Sequence, residues 1–267
     1  MSRGFGVAAG LDPQVATPLA GRCDALGFDS IWSNDTPLAS GLATLADFAA
    51  GSDSIDLGVT LALDRHEPTA IAAQIDELGL PRERLWIGVG AGHSRKALTA
   101  MRDALPRLRE ALTDVRLVLA AMGPKMCALG GAQFDGVFFN WITPAFAASA
   151  RELVERGASE AGRKAPPVLG YVRTAVGPDA ARRLLKEETF YRDLHDGYRN
   201  HFPRLDEPVG TVGIAAADGD EAQRELSAYE ALDVPVVRGL ASARVDAMSA
   251  LAEATAPITS YERPATS

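Results

Sequence analysis

The chain is short of cysteine, histidine, basic residues and long apolar runs, and each shortage removes a class of function. Two cysteines in 267 residues, Cys23 and Cys127, are too few for a disulfide scaffold. They form no CxxC metal spacing, so both are expected to be buried reduced thiols. The four histidines show no HxxxH or HxH spacing with a nearby acid, which disfavours a catalytic metal. The absence of a GxSxG elbow argues against serine hydrolase chemistry. No apolar stretch approaches the roughly 20 residues needed to span a bilayer. The opening MSRGFGVAAGLDP has neither the apolar core nor the small-residue cleavage site of a signal peptide, so the cytoplasm is the expected location. Lysine and arginine number 27 against 35 acidic residues, with no local basic cluster, so a nucleic-acid backbone would meet net repulsion. Nucleic acid is therefore not an expected partner.

What is present is a repeating alternation. Short runs rich in β-branched residues recur between longer segments of helical period, as expected of parallel strands buried on both faces. Eight strand segments follow in order: Gly4 to Gly10, Phe28 to Asp35, Ser54 to Ala62, Arg84 to Gly92, Val115 to Gly123, Phe134 to Trp141, Pro167 to Val176 and Val234 to Leu240. Helices are expected between them at Thr17 to Leu26, Pro68 to Leu78, Ser94 to Thr113, Pro144 to Ala161 and Pro178 to Asp196, several opening on Pro or a Ser/Thr/Asp cap. Eight such units close naturally into a (β/α)8 TIM barrel, with a doubly wound open sheet as the competing arrangement. The expected layout is one barrel domain over 1–256 and a C-terminal tail over 257–267. The seventh and eighth strands stand more than twice as far apart as any other neighbours, so extra helices are expected there. Aromatic residues at helical spacing in FYRDLHDGYRNHF (Phe190 to Phe202), and a second helix from Asp218 to Leu232, fill that interval. The aromatic segment suits a lid over the barrel mouth, an oligomer contact, or a helix packed on the wall.

In such barrels ligands meet the C-terminal ends of the strands, and there this sequence turns small or polar. The second strand ends in Ser33, Asn34 and Asp35; the third in Thr60, with Arg65 and His66 beyond; the fourth in Gly90, Ala91, Gly92 and His93. The sixth ends in Asn140 and Trp141, while the last two supply Arg173, Thr174 and Arg238. Gly88, Gly90 and Gly92 let a flat ligand approach the backbone, or serve packing where the barrel narrows. They are not a dinucleotide fingerprint, since the third glycine is misplaced. After the fifth strand, Gly123, Pro124, Lys125 and Met126 open a helix whose free N–H groups, dipole and lysine charge suit a phosphate, or form an ordinary turn. Asp35 could bond a cofactor ring or shuttle a proton; a helix cap or an ion pair would use it equally. His66 and His93 are candidates for proton transfer, the role for which imidazole is most often used.

Four segments together resemble the luciferase-like monooxygenase superfamily, especially its short coenzyme F420-dependent oxidoreductase members. They are ALGFDSIWSND (Ala25 to Asp35), LGVTLALDRHEP (Leu57 to Pro68), RLWIGVGAG (Arg84 to Gly92) and AAMGPKMCALGGAQFDGVFFNWITP (Ala120 to Pro144). Weaker similarity runs through Tyr171 to Pro178 as far as VPVVRGL. The resemblance implies a luciferase-like barrel holding F420, or alternatively FMN. A bulged third strand with a non-proline cis peptide would fall at Gly58 and Val59, and the phosphate loop on Ala121, Met122, Gly123, Pro124 and Lys125. Thr60, Gly90, Ala91, Gly92, Asn140 and Trp141 would line the cofactor, with Asp35 and His93 near the reacting carbon. Thr36 stands where better-understood relatives have histidine, and His93 where they have glutamate. The implied activity is hydride transfer between F420 and a small organic substrate, in a homodimer. The alternatives are an FMN-dependent monooxygenase and a non-catalytic barrel that binds a flavin or another ligand.

Overall fold

A computed structural model describes residues 2–258, so the 259–267 part of the expected tail lies outside the described residues. The eight expected strands all form: β1 (Gly4–Ala8), β2 (Ser30–Asn34), β3 (Asp56–Ala62), β4 (Leu85–Gly90), β5 (Arg116–Ala121), β6 (Gly136–Asn140), β7 (Val168–Val176) and, after a short additional strand β8 (Ile214–Ala216), β9 (Val234–Gly239). Every named pairing is parallel. β1 to β7 neighbour one another in chain order, and β9 closes the cylinder between β7 and β1. The arrangement is a closed eight-stranded TIM barrel, and the open-sheet alternative falls. β8 stands outside the cylinder because β7 overruns β6: β6 pairs with Val168 to Tyr171, which leaves the top of β7 free for Ile214 to Ala216.

The helices follow their local chemistry. α1 (Pro13–Ala25) starts at Asp12, whose carboxylate accepts from the Gln14 N–H, with Pro13 in the first turn where its missing N–H costs nothing. α2 (Gly41–Ala49) is capped by Ser40, and α3 (Pro68–Glu77) and α4 (Ala97–Ala111) follow β3 and β4. α5 (Pro124–Gln133) and α6 (Pro144–Glu160) cross almost backbone to backbone: a Cβ on Gly131 would lie 2.0 Å from the Val154 carbonyl oxygen, and one on Gly157 2.1 Å from that of Ala128. α7 (Ala180–Leu194), a short α8 (Asp196–His201) and α9 (Gly219–Ser227) occupy the long interval before β9, and α10 (Val245–Ala254) ends the described fold. Thus the expected extra helices are present, the first of them broken at His195. The expected second helix is shorter than Asp218 to Leu232.

Alternate strand residues point outward to the helices or into the barrel. Outward-facing Phe5, Ile31, Leu57, Ile87, Leu117, Val137 and Val237 belong to the main core, to which the helices add their apolar faces. Inside, the floor of the cylinder is polar but satisfied. Arg116 donates to both Asp56 carboxylate oxygens at 2.8 Å and lies 4.3 Å over the Trp86 ring, whose Nε1 also donates to Asp56. Above it, Trp32, Phe138 and Tyr171 pack in series with ring centroids 4.6 Å apart at each step. Gly58 faces this stack, and a Cβ there would come within 2.1 Å of the Trp32 ring.

One expectation is corrected. No cis peptide occurs among the described residues, so the Gly58–Val59 bond is trans, and β3 shows no bulge. It pairs in unbroken register with β2 from Asp56 to Thr60 and with β4 from Leu57 to Ala62. The physical reason is that ladders on both sides hold the strand extended, while the missing side chain at Gly58 makes room for Trp32. Both cysteines are free and buried as expected; burial pushes the Cys127 thiol up to about 12 and raises that of Cys23 further. Among the described residues no helix is long and apolar enough to cross a membrane.

Candidate active site

The uppermost inward-facing residues of β1 to β6 are Ala8, Asn34, Thr60, Ala62, Gly90, Ala120 and Asn140, and each is partly exposed; those one step deeper, including Trp32, Gly58, Val118 and Phe138, are buried. The strand ends therefore surround a bowl with an aromatic floor. Its β1 to β5 wall is built of small side chains. On its β6 to β7 side stands a bulky wall: Asn140, Trp141, Arg173, and the aromatic residues of α7 and α8. Trp141 packs 5.1 Å from Tyr191 and 5.2 Å from Phe202, and the Arg173 guanidinium sits 4.0 Å over the Trp141 ring. Asn140 donates through Nδ2 to the Tyr198 hydroxyl at 2.8 Å and accepts from Arg173 through Oδ1. Of the three roles open to the Phe190 to Phe202 segment, a cover over the mouth is the one α8 occupies.

Several polar atoms in the bowl are buried without a hydrogen-bond partner among the described residues: Asn34 Oδ1, the Tyr171 hydroxyl, and Nε of both Arg173 and Arg238. Thr60 lies beside Tyr171 without reaching hydrogen-bonding geometry, and burial pushes the phenol up to about 12. Burial likewise pulls the Arg173 guanidinium below its ordinary value. Such orphaned groups are uncommon in native proteins, and each calls for a partner from outside the chain or a role that explains it. Trp141 adds backbone strain at the same place, with φ of 54° in a fully buried residue. His201, also buried, braces that conformation by donating from Nε2 to the Trp141 carbonyl at 2.6 Å.

Asp35 and His93 both lie on the rim, in different circumstances. The Asp35 carboxylate, only 3% exposed, accepts from the Gly41 N–H at 2.9 Å, from Arg65 at 2.7 Å, and pairs with His66 Nε2 at 2.8 Å. It ties β2, α2 and the loop after β3 together, and it borders an open cleft of about 400 Å³ with Thr36, Leu38, Ser40 and Gln74. His93 is open, its side chain 67% exposed. Its Nδ1 and its backbone N–H both meet Asp64 Oδ2 at 2.9 Å. Burial alone would raise the Asp64 carboxyl, but the two His93 bonds outweigh it and hold it below the ordinary range. With Asp64 accepting at Nδ1, neutral His93 carries its proton there and leaves Nε2 as the basic atom. Its ring meets that of His195, at the head of α8, at 5.2 Å.

The other expected positions divide. Thr60, Gly90 and Asn140 line the bowl; Ala91, Gly92, Met122 and Trp141 lie at its edge. Gly92 is left-handed at φ 59° with the Asp64 carboxylate where a Cβ would stand, and a Cβ on Gly88 would meet the Val59 carbonyl at 3.0 Å, so packing explains these two glycines. Val59 and Ala121 face outward into the helix layer. Gly123 is the N-cap of α5 without a side-chain bond, Pro124 occupies the first turn, and the Arg204 guanidinium lies over the glycine. Lys125 points away from the mouth, into a groove with Arg102, Gln133 and Glu160. Arg173 and Arg238, expected only as polar strand ends, stand in the wall of the bowl, and Tyr171, Tyr198 and His195 join them there without having been anticipated. For the two arginines a signal existed: each is a lone charge on the inward phase of an otherwise apolar strand.

The luciferase-like monooxygenase family model matches residues 113–243. No curated protein sequence matches the chain. Among solved structures, an F420-dependent secondary alcohol dehydrogenase in complex with an F420–acetone adduct superposes with a TM-score of 0.72 at 18% identity, covering 95% of this chain and 98% of that one. The coenzyme F420-dependent tetrahydromethanopterin reductase from Methanopyrus kandleri gives 0.71 at 18% identity over the same shares. The FMN-bound oxygenating constituent of 3,6-diketocamphane monooxygenase from Pseudomonas putida gives 0.67 at 13%, covering 96% of this chain and 99% of that one. At these identities the likeness is one of fold.

Proposed function

We propose, from the match of residues 113–243 to the luciferase-like monooxygenase family model, that the chain is an oxidoreductase that holds coenzyme F420 in the bowl and transfers a hydride between it and a small organic substrate. The observation that carries this reading is the bowl itself: small residues on one wall, an aromatic floor and unpartnered buried polar atoms around it. A flat polar ring fits that chemistry, stacked against Gly90 and Ala120 and bonded by Asn34, Thr60 and the Tyr171 hydroxyl. Bound F420 would supply the hydride-carrying carbon, leaving the protein to bind and orient. His93, its Nδ1 proton committed to Asp64, would take or return a proton at Nε2. Asp35 acts here as a positioning residue, since its three donors hold the rim in place. α8 must shift to admit the ring, for Tyr198 and Asn140 close that side of the bowl.

The cytoplasm is the proposed location and a homodimer the proposed assembly. Among the described residues, four of the seven exposed large hydrophobic side chains, Leu185, Phe190, Leu194 and Val209, belong to the α7–β8 interval, which is where a second subunit would seat. Light scattering of the purified protein checks the stoichiometry.

Titration with F420 and, separately, FMN, followed by fluorescence quenching, tests the cofactor: F420 should bind, and binding of neither would overturn the proposal. The FMN-bound relative of similar fold supports a second reading, an FMN-dependent monooxygenase. Oxygen consumption that depends on reduced FMN would favour it. Tight cofactor binding with no turnover across a substrate panel would instead identify a non-catalytic binding barrel.

A further inference from the structure

Arg173 and Arg238 are direct partners across the β7–β9 ladder, both on the inward phase and both at the barrel mouth. They are 2% and 6% exposed, and neither takes part in an ion pair among the described residues. Arg173 gives one bond, to Asn140 Oδ1, and Arg238 gives one, to the Gly239 carbonyl at 3.1 Å; Nε of each is buried and unpartnered. Guanidinium groups do not shed their proton to escape such a setting. Two like charges taken from water side by side repel and lose hydration, and only partial compensation is at hand. The faces of Trp141 and Tyr191 lie 4.0 and 5.1 Å from the Arg173 guanidinium carbon. Glu187 on α7 acts on Arg173 at longer range without pairing with it. What would complete both groups is an acceptor with two or more oxygens and a negative charge, matched to the fork geometry of guanidinium.

We propose that Arg173 and Arg238 form an oxyanion subsite on the β7–β9 side of the bowl, taking a carboxylate or phosphate group carried by the substrate or by the cofactor. The subsite goes beyond the cofactor reading and stands on the arginine geometry alone. It differs from the turn at Gly123 to Lys125, whose lysine points to the outer groove.

The test is thermal unfolding of the full-length protein with inorganic phosphate or acetate against chloride at matched ionic strength. The wild type should show a saturable rise in midpoint with either oxyanion. Arg238→Gln and Arg173→Lys should lose that rise, while Arg182→Gln, an exposed residue of α7 outside the bowl, should keep it. Without added oxyanion, R238Q should unfold at or above the wild-type midpoint, because one of two unpaired like charges has gone. No saturable rise in the wild type, or the same rise in R238Q and R173K, would overturn the subsite. Repeating the titration with F420 identifies the source: displacement of phosphate and acetate by F420 assigns the subsite to the cofactor's phosphate, and simultaneous binding assigns it to the substrate. If F420 does not bind but the arginine-dependent rise persists, the cofactor reading falls and the subsite stands.

Discussion

At the scale of single residues, the interior of this barrel is set by which side chains are missing. Gly58 supplies the space that Trp32 fills, so Gly58→Ala should force the indole out of its position between Gly58 and Phe138. Overpacking of this kind costs about 1–3 kcal/mol, readable as a lowered denaturation midpoint at unchanged m-value. Stability equal to the wild type would mean that the Trp32 stack can slide. Asp35 presents the opposite situation, a buried acceptor with three donors on it. Asp35→Ala would strand the buried Gly41 N–H, and leaving such a group unpaired costs about 1–3 kcal/mol, while the solvent-accessible Arg65 guanidinium adds little to that loss. Equilibrium denaturation should show that loss before any cofactor is added, which a purely chemical role for Asp35 would not produce.

At the scale of elements, the decisive piece is α8, because it stands over the bowl and is held at its head by an imidazole. His195 Nδ1 accepts from the Gly197 N–H at 3.0 Å, which requires that nitrogen to be unprotonated. Burial, then the neighbouring His93 and Arg199, lower the His195 pKa, against the opposing pull of Asp196 and Asp64. The folded value thus lies below the unfolded one, and the unfolded chain binds more protons between them. The stabilisation is complete above the ordinary imidazole value of about 6.5 and is lost as pH falls through the lower folded value. Protection factors over residues 195–205, with the intrinsic pH dependence of amide exchange divided out, should therefore hold above about pH 6.5 and fall as pH drops below it. His195→Asn keeps a capping acceptor that does not titrate, so it should remove that pH dependence. An equal loss of protection in the variant would place the sensitivity elsewhere.

At the scale of the whole molecule, the barrel was readable because parallel strands buried on both faces leave dense apolar runs, and each expected run contains a strand. α2 and β8 were not: β8 has three residues and exists only because β7 outlasts β6, a register property no local signal carries. The rim positions of Asp35 and His93 followed from their places after strands, whereas the direction of Lys125 depends on how α5 is rotated. The pairing of Arg173 with Arg238 required knowing that β9 closes against β7. That closure also sets a contrast in charge, since a chain of net charge −8 carries inside its mouth two cations that form no ion pair among the described residues. An anionic ligand is repelled at a distance and attracted only on arrival. Salt screens the first effect over a Debye length of about 10 Å at 0.1 M and hardly reaches the second. Raising ionic strength from about 10 mM to about 150 mM should therefore speed association of F420, through its phosphate charge, while leaving its dissociation rate nearly constant. Stopped-flow fluorescence reads both rates. An association rate that falls with salt would show that the positive mouth already dominates the field outside the barrel.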